Sequence, residues 1–531
     1  MKREPPGGPE AARPRADYAP DTEPFDPADE PAPSAAKPRV RVTDDGRLMS
    51  GRLAGLSMNR AIWVLAWPVL VESYLNSFVG LVDTALAARL STSATDAIGA
   101  ASYFAWFIGL VGMALGVGAT AVVARSVGKG RMAVANAAVG QTMVLAVALG
   151  SVAGAGLWFA SSGIARVLSL EGATAAEFSE YLRVIAWGVP MSAVLMSGAA
   201  CLRGAGDSLR PLWAMVAVNI VNVTLSWGLA GVPLAGIVPP GSPELGIRGI
   251  ALGTVIAQSV GAVVVLVMLG RGRGGVMLKR RRLKPHARTI GRLIRVGLPN
   301  FLESLGMWFG NFVIIVFVGF LAIAMAQDGL FGAHILAIRV EAFSFLPGFA
   351  IGMAVATLAG QYLGAGSAKL ASRAILRCTI MGTSVMASMG AAFVLFPEQI
   401  VSLLSPQPVH LELTPPLLVI CGLTQIPFAI SMVIRSALRG AGDVHAVMWI
   451  TWFATYGLRI PMAYALSGVR LHVPASIATL FGADGAYVVD NPFGLEPSLS
   501  GLWMGLCGEL IIRSMLFGGR LMHGGWKKAR V

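Results

Sequence analysis

Long apolar blocks separated by short polar connections dominate the chain from Ala61 onward. Twelve such blocks run over roughly 61–86, 97–124, 134–160, 178–200, 211–231, 246–270, 296–324, 330–358, 374–397, 413–437, 446–467 and 501–521. Each is about 20 residues or longer, the length at which a helix crosses a hydrocarbon core ~30 Å thick. The pattern predicts an all-α polytopic membrane protein with twelve transmembrane helices. Residues 1–56 have a different pattern: Pro, Ala and charge alternate without an apolar block, which predicts a disordered tail unable to bury a core. That tail lacks the basic start and apolar centre of a signal peptide, and its removal is expected to leave the membrane part folded.

The connections alternate in charge. "ARSVGKGR", "CLRGAGDSLR", the stretch 271–295, "GSAKLASRAILR" and "HGGWKKAR" hold most of the Lys and Arg, and the intervening set is poor in both. By the positive-inside rule the basic set and both termini are expected in the cytoplasm of a multi-pass protein of the cell (inner) membrane. The same rule accounts for the net charge of +14, so no nucleic-acid partner is expected. Composition agrees, with 55% hydrophobic and 13% charged residues where soluble domains carry about 25% charged. The four cysteines lie in apolar blocks without CxxC spacing and are expected to be small buried hydrophobes.

One polar turn occurs twice. "LRGAGD" starts at Leu202 and again at Leu438, an offset of 236. The same shift carries Gly112, Gly116, Gly128 and Gly130 onto Gly348, Gly352, Gly364 and Gly366. Nearer the start of each half, "WPVLVE" at Trp67 matches "LPNFLE" at Leu298 with an offset of 231. The chain is therefore a tandem duplication of a six-helix unit. An even number of spans gives both halves the same orientation, related by an axis along the membrane normal. The predicted organisation is a tail over 1–56, an N-lobe over 57–270, a basic inter-lobe linker over 271–295 and a C-lobe over 296–531. Transporters built this way rock one half against the other around a midplane site. The LRGAGD turns themselves read as structural, with Gly permitting the reversal and Asp capping the next helix.

The stretch "WPVLVESYLNSFVGLVDTALAARL", the paired "RGAGD" turns, "FLPGFAIGMAVATLAGQYLGAG" and "GLRIPMAYAL" together resemble the multidrug and toxic compound extrusion (MATE) family. The resemblance covers about residues 60–530. It implies two six-helix lobes forming a V and a cation-coupled antiporter, driven by H+ or Na+, that exports organic compounds by alternating access.

Ionisable residues inside spans point to function by default. Asp83, in "LVDTAL", falls towards the outer end of the first helix, where it reads either as a solvated interfacial residue or as a carboxylate that alternately binds and releases a proton or sodium ion. Its VDT motif resembles the family's amino-lobe aspartate. The resemblance further implies a network with an Asn-x-x-x-Asp pair in the fifth helix and a Thr in the sixth. Here Asn222 and Thr254 match, while Ser226 stands in place of the second Asp, which leaves one carboxylate fewer.

Glu72 and Glu303 occupy equivalent mid-bilayer positions, each four residues after a proline. They read as cavity acids that attract cationic cargo, or as structural partners of an arginine, with Arg339 the candidate. Glu509 and Arg513, at i, i+4, read as a local ion pair. Pro68 and Pro299 each remove a helix hydrogen bond and are the candidate hinges. No metal-binding set, catalytic constellation or phosphate-cradling Walker loop occurs, so neither enzyme activity nor a cofactor beyond the coupling ion is expected. The rival reading is a lipid-linked oligosaccharide flippase of the same superfamily. The expected working unit is a monomer in the bilayer with a small organic substrate.

Overall fold

The computed structural model describes residues 41–168, 170–233, 242–272, 274–473 and 487–529. Six helices build the first lobe: α1 Met58–Leu90, α2 Thr92–Gly128, α3 Met132–Val167, α4 Gly172–Gly204, α5 Leu209–Ala230 and α6 Gly246–Gly270. The second lobe begins with α7 Ala287–Met325, α8 Leu330–Gly364 and α9 Ala368–Leu395. It continues through α10 Pro397–Leu404, α11 Pro408–Leu423, α12 Gln425–Ala441, α13 Val444–Trp452, α14 Ile460–Ser467 and α15 Leu499–His523. Twelve spans in two lobes result, though two of them are not plain helices. Helices α11 and α12 form one span bent by 56° at Thr424. Pro427, in the first turn of α12, has no N–H to return to Leu423, which explains the break there. A π-helical turn, Phe453–Arg459, joins α13 to α14 within the eleventh span; such turns insert a residue into the helical ladder and commonly occur at functional sites.

The duplication is visible in the packing. The foot of α1 (Ala61, Ile62, Leu65, Ala66) is buried in a core formed with α8, α9 and α12 of the other lobe. Reciprocally, Leu293 near the foot of α7 joins the core of α2 to α6. Between the lobes, α2 and α8 approach backbone to backbone. A Cβ on Gly128 would overlap the carbonyl of Gln361, and one on Gly364 would overlap the carbonyl of Arg125. Gln361 lies 236 residues beyond Arg125, so the two contacts are the same contact related by the pseudo-twofold. Glycine is required here because lipid offers no hydrophobic drive and close van der Waals approach must supply the attraction.

Two expected boundaries move. Residues 1–40 lie outside the described residues, but 41–56, expected within the unstructured tail, is folded. Leu48 and Leu53 are 2% and 1% exposed and belong to the α1–α8–α9–α12 core. The Arg41 N–H donates to the Ala365 carbonyl at 2.9 Å, Ser50 Oγ to the Val127 carbonyl at 2.9 Å, and Arg52 pairs with Asp207 at 2.8 Å. The segment thereby touches the ends of both lobes. Two leucines in a Pro- and charge-rich context suffice because they enter a groove already lined by helix ends. The stretch 271–295 is likewise not all linker, since α7 starts at Ala287. Its earlier part is pinned to α3, where Gln141 donates to the carbonyls of Arg282 (2.6 Å) and Lys284 (2.8 Å) and Asn136 accepts from the N–H of Met277 (2.7 Å). Beyond α14, Leu471–Val473 and Tyr487–Val489 pair as a short antiparallel ribbon, Leu471 opposite Val489. The segment "VPASIATLFG", a candidate interfacial helix, lies outside the described residues after Val473.

Candidate functional site

Asp83 stands two turns from the end of α1 and is 4% exposed. The solvated interfacial alternative therefore fails. Thr254 of α6 donates to its Oδ2 at 2.8 Å, and Asn222 of α5 donates to Oδ1 at 3.2 Å. Tyr181 of α4 donates to Oδ2 at 3.4 Å. Asn222 Nδ2 also lies 2.9 Å from Thr254 Oγ1 and 3.1 Å from Ser226 Oγ, while Ser226 donates to the Ile250 carbonyl at 3.2 Å. Close helix approach makes this possible: a Cβ on Gly253 would overlap Ser226, so only glycine lets α6 reach α5 at this depth.

Every neighbour of Asp83 in this network is neutral. Among the described residues no Arg, Lys or His pairs with it. A carboxylate in an apolar interior without a counter-charge is costly unless it binds a proton or a cation. The Nδ2 of Asn222 gathers the Asp83 carboxylate and the hydroxyls of Thr254 and Ser226, while its Oδ1 is buried without a hydrogen-bond partner. Such hard oxygen donors suit a proton or a small cation like Na+. The sequence grouped Asp83, Asn222, Ser226 and Thr254; it gave no sign of Tyr181, a lone aromatic in an apolar helix. The equivalent of Asp83 in the second lobe, 231 residues on, is Ile314, so this carboxylate site belongs to the first lobe.

The two symmetric glutamates are ion-paired. Arg203 Nη1 lies 2.8 Å from Glu72 Oε1, and Arg439 Nη2 lies 2.7 Å from Glu303 Oε2. Each arginine is the second residue of an LRGAGD turn, so the repeated turn carries the counter-charge of the acid in its own lobe. Arg339, the partner considered from sequence, is exposed on α8 and pairs with neither acid. Glu72 keeps 15% side-chain exposure, whereas Glu303 is closed off at 1% and also accepts from Thr451 at 2.8 Å. The acids are thus not the open anionic cavity expected. The turn aspartates differ too. Asp207 accepts from the N–H of Arg210 (3.3 Å) as a helix cap, but Asp443 takes a two-pronged contact from Arg520 at 2.8 and 3.0 Å. Pro68 and Pro299 are buried inside α1 and α7, which run through them as single helices. Glu509 and Arg513 pair at 2.5 Å, as their spacing predicts, and all four cysteines are buried.

The MatE family model matches residues 68–227 and 299–465. These are the two lobes, each match opening on the proline before its symmetric glutamate. The chain belongs to the MATE family. The probable multidrug resistance protein NorM of Thermotoga maritima is 27% identical over 467 residues, covering 88% of this chain and 93% of that protein. The multidrug resistance protein NorM of Vibrio cholerae is 26% identical over 460 residues, covering 86% and 93%. Among solved structures, an outward-facing multidrug resistance MATE transporter of the MOP superfamily superposes with TM-score 0.75 at 20% identity, covering 89% of this chain and 97% of its own. A MATE structure in a bent conformation superposes equally well, TM-score 0.75 at 20% identity, covering 89% and 96%. The molecule is therefore a multi-pass MATE transporter. A lipid-linked oligosaccharide flippase is not favoured.

Proposed function

We propose that this MATE transporter is a cation-coupled antiporter whose coupling site is Asp83 with Asn222, Ser226, Thr254 and Tyr181. The observation that supports the reading is a buried carboxylate held only by neutral donors. With its proton or sodium ion bound, the site is electrically neutral; without it, a bare negative charge sits among apolar helices. That difference in free energy between two states is what an ion gradient can use to bias alternating access. Bending of α1 at Pro68, with Pro299 as its counterpart in α7, is the proposed means by which the site alters the lobe.

In this reading the RGAGD ends, the 41–56 segment and both termini face the cytoplasm, and the lobes are closed on that side. The unit is a monomer. The test uses purified protein in liposomes loaded with a fluorescent organic cation, under an imposed proton gradient and then a sodium gradient. Transport driven by one gradient and lost in Asp83→Asn supports antiport and names the ion. Transport indifferent to both gradients, with Asp83→Asn unchanged, sinks the coupling model.

A further inference from the structure

The second lobe holds a buried charge cluster that, among the described residues, shares with the first lobe only the symmetric Glu–Arg pair. Its arginines are Arg435, Arg439, Arg459 and Arg513; its acids are Glu303, Glu341 and Glu509. Arg439 neutralises Glu303. Arg513 and Arg459 share Glu509 at 2.5 and 3.4 Å, and Arg459 also interacts with Glu341. Arg459 further donates to Asn311 Oδ1 at 3.0 Å, and Arg513 to Thr455 Oγ1 at 3.2 Å in the π-helical turn. Arg435 is the least compensated of the four arginines. Its Nη1 reaches only the thioether of Met307 at 3.2 Å, its Nε is buried without a partner, and Glu303 lies 3.9 Å away, beyond hydrogen-bond range, with both oxygens already engaged. The position equivalent to Arg435 in the first lobe is Ala199.

A guanidinium in this setting is costly unless an anion completes it. Its side chain keeps 16% exposure, so a small molecule can reach it. Seven residues earlier on the same face of α12, Phe428 stacks with Phe345 of α8 at 6.3 Å between ring centroids, and Phe345 stacks with Phe349 at 5.8 Å. Seven residues of helix separate charge and aromatic wall by about 10 Å. An anionic head on Arg435 and a flat apolar body along the phenylalanines fit one elongated molecule.

We propose that Arg435 and the Phe428–Phe345–Phe349 wall form a substrate subsite for the carboxylate end of an aromatic organic anion or zwitterion. This rests on the export reading above and narrows its substrate class, dividing the labour between lobes: the first binds the coupling ion, the second the acid group of the cargo. A guanidinium–carboxylate pair is a charge-assisted bond whose loss weakens binding about tenfold or more.

The test is equilibrium binding of two matched dyes to the purified full-length transporter in detergent, read by fluorescence anisotropy. Rhodamine B has a free carboxylate and is zwitterionic; its ethyl ester has the same body and only the positive charge. Arg435→Gln should raise Kd for rhodamine B at least tenfold and for the ester less than twofold, while Arg435→Lys retains most of the rhodamine B affinity. Ester binding shows that the variant is folded. Unchanged rhodamine B binding, an equal loss for both dyes, or no measurable rhodamine B binding to the wild type overturns the proposal. No gradient is present in this measurement, so its failure leaves the antiport reading standing, and failure of the gradient experiment leaves this one intact.

Discussion

Arg203 reaches back 131 residues to hold Glu72, with Nη1 2.8 and 3.0 Å from the two carboxylate oxygens. The pair joins α4 to α1 within one lobe, and Arg439 with Glu303 joins α12 to α7 in the other. The two pairs differ in burial, so they should differ in energetic weight. Removing one partner of a fully buried pair costs about 3–5 kcal/mol because an uncompensated charge remains. Glu303, at 1% side-chain exposure, meets that condition and Glu72, at 15%, does not. Glu303→Gln, which takes the shared acid from both Arg439 and Arg435, should therefore lower the unfolding temperature markedly more than Glu72→Gln. The measurement is thermal unfolding of both variants in the same detergent; an equal or reversed order would contradict the burial argument.

Within the Asp83 site the hydrogen bonds rank by distance and number. Asn222 touches Asp83, Thr254 and Ser226, whereas Tyr181 offers one bond of 3.4 Å. Loss of a hydrogen bond to a charged group costs roughly 1.5–3 kcal/mol. Asn222→Ala should slow gradient-driven export about tenfold or more, and Tyr181→Phe about twofold. Initial rates in proteoliposomes decide the matter. A Tyr181→Phe defect as deep as that of Asn222→Ala would show that the tyrosine holds the carboxylate as strongly as the asparagine.

Most of the architecture was legible in the sequence because membrane spans and tandem repeats are signals of length and register, and both survive without any knowledge of packing. Asp83, Asn222 and Thr254 were legible through motif resemblance. What escaped depends on contacts between distant residues. Nothing near Arg203 in the chain announces Glu72, and Arg439 was hidden in the same turn. The extra residue of the π-helical turn at Phe453–Arg459 has no compositional mark. Leu48 and Leu53 were masked by the prolines and charges around them, since a composition argument averages over the two positions that matter.

The symmetric backbone contacts of Gly128 and Gly364 give a conformational prediction. A methyl group at either position displaces a carbonyl of the other lobe, which no side-chain rotation relieves. Gly128→Ala and Gly364→Ala should each favour the state in which the lobes part at the RGAGD end. Thr357, 1% exposed and donating to the Arg203 carbonyl at 3.1 Å, reports on that seam. With the four native cysteines replaced by alanine, Thr357→Cys should react with a maleimide severalfold faster in either glycine variant. Unaltered labelling would show that the seam does not depend on these contacts.

The folded 41–56 segment should contribute measurably to stability. Leu53 packs beside Gly206 of the first repeat turn while belonging to the core of the other lobe. Leu53→Asp removes a buried apolar side chain and adds an unpaired charge, a combined cost of at least about 3 kcal/mol if the segment stays in place. Either the protein unfolds at lower temperature or the segment detaches. Detachment is seen as faster labelling of Thr357→Cys together with cleavage near residue 53 by added protease. A variant with wild-type stability, labelling and protease resistance would show the segment to be a passenger.

Pro68 separates binding from movement. The proline leaves the Val64 carbonyl without its helical N–H partner, which weakens α1 in bending at a point four residues before Glu72. Alanine restores the missing donor and stiffens the helix. If protonation or sodium binding at Asp83 reshapes the first lobe through a bend there, Pro68→Ala should lower the rate of gradient-driven export severalfold while the equilibrium Kd for a fluorescent substrate stays within about twofold. The Glu72–Arg203 pair, one turn beyond the proline, supplies the internal control: it holds α1 to α4 in both variants, so the loss cannot come from a detached helix. Equal losses in affinity and turnover would place the defect in the binding surface and remove Pro68 from the role of hinge.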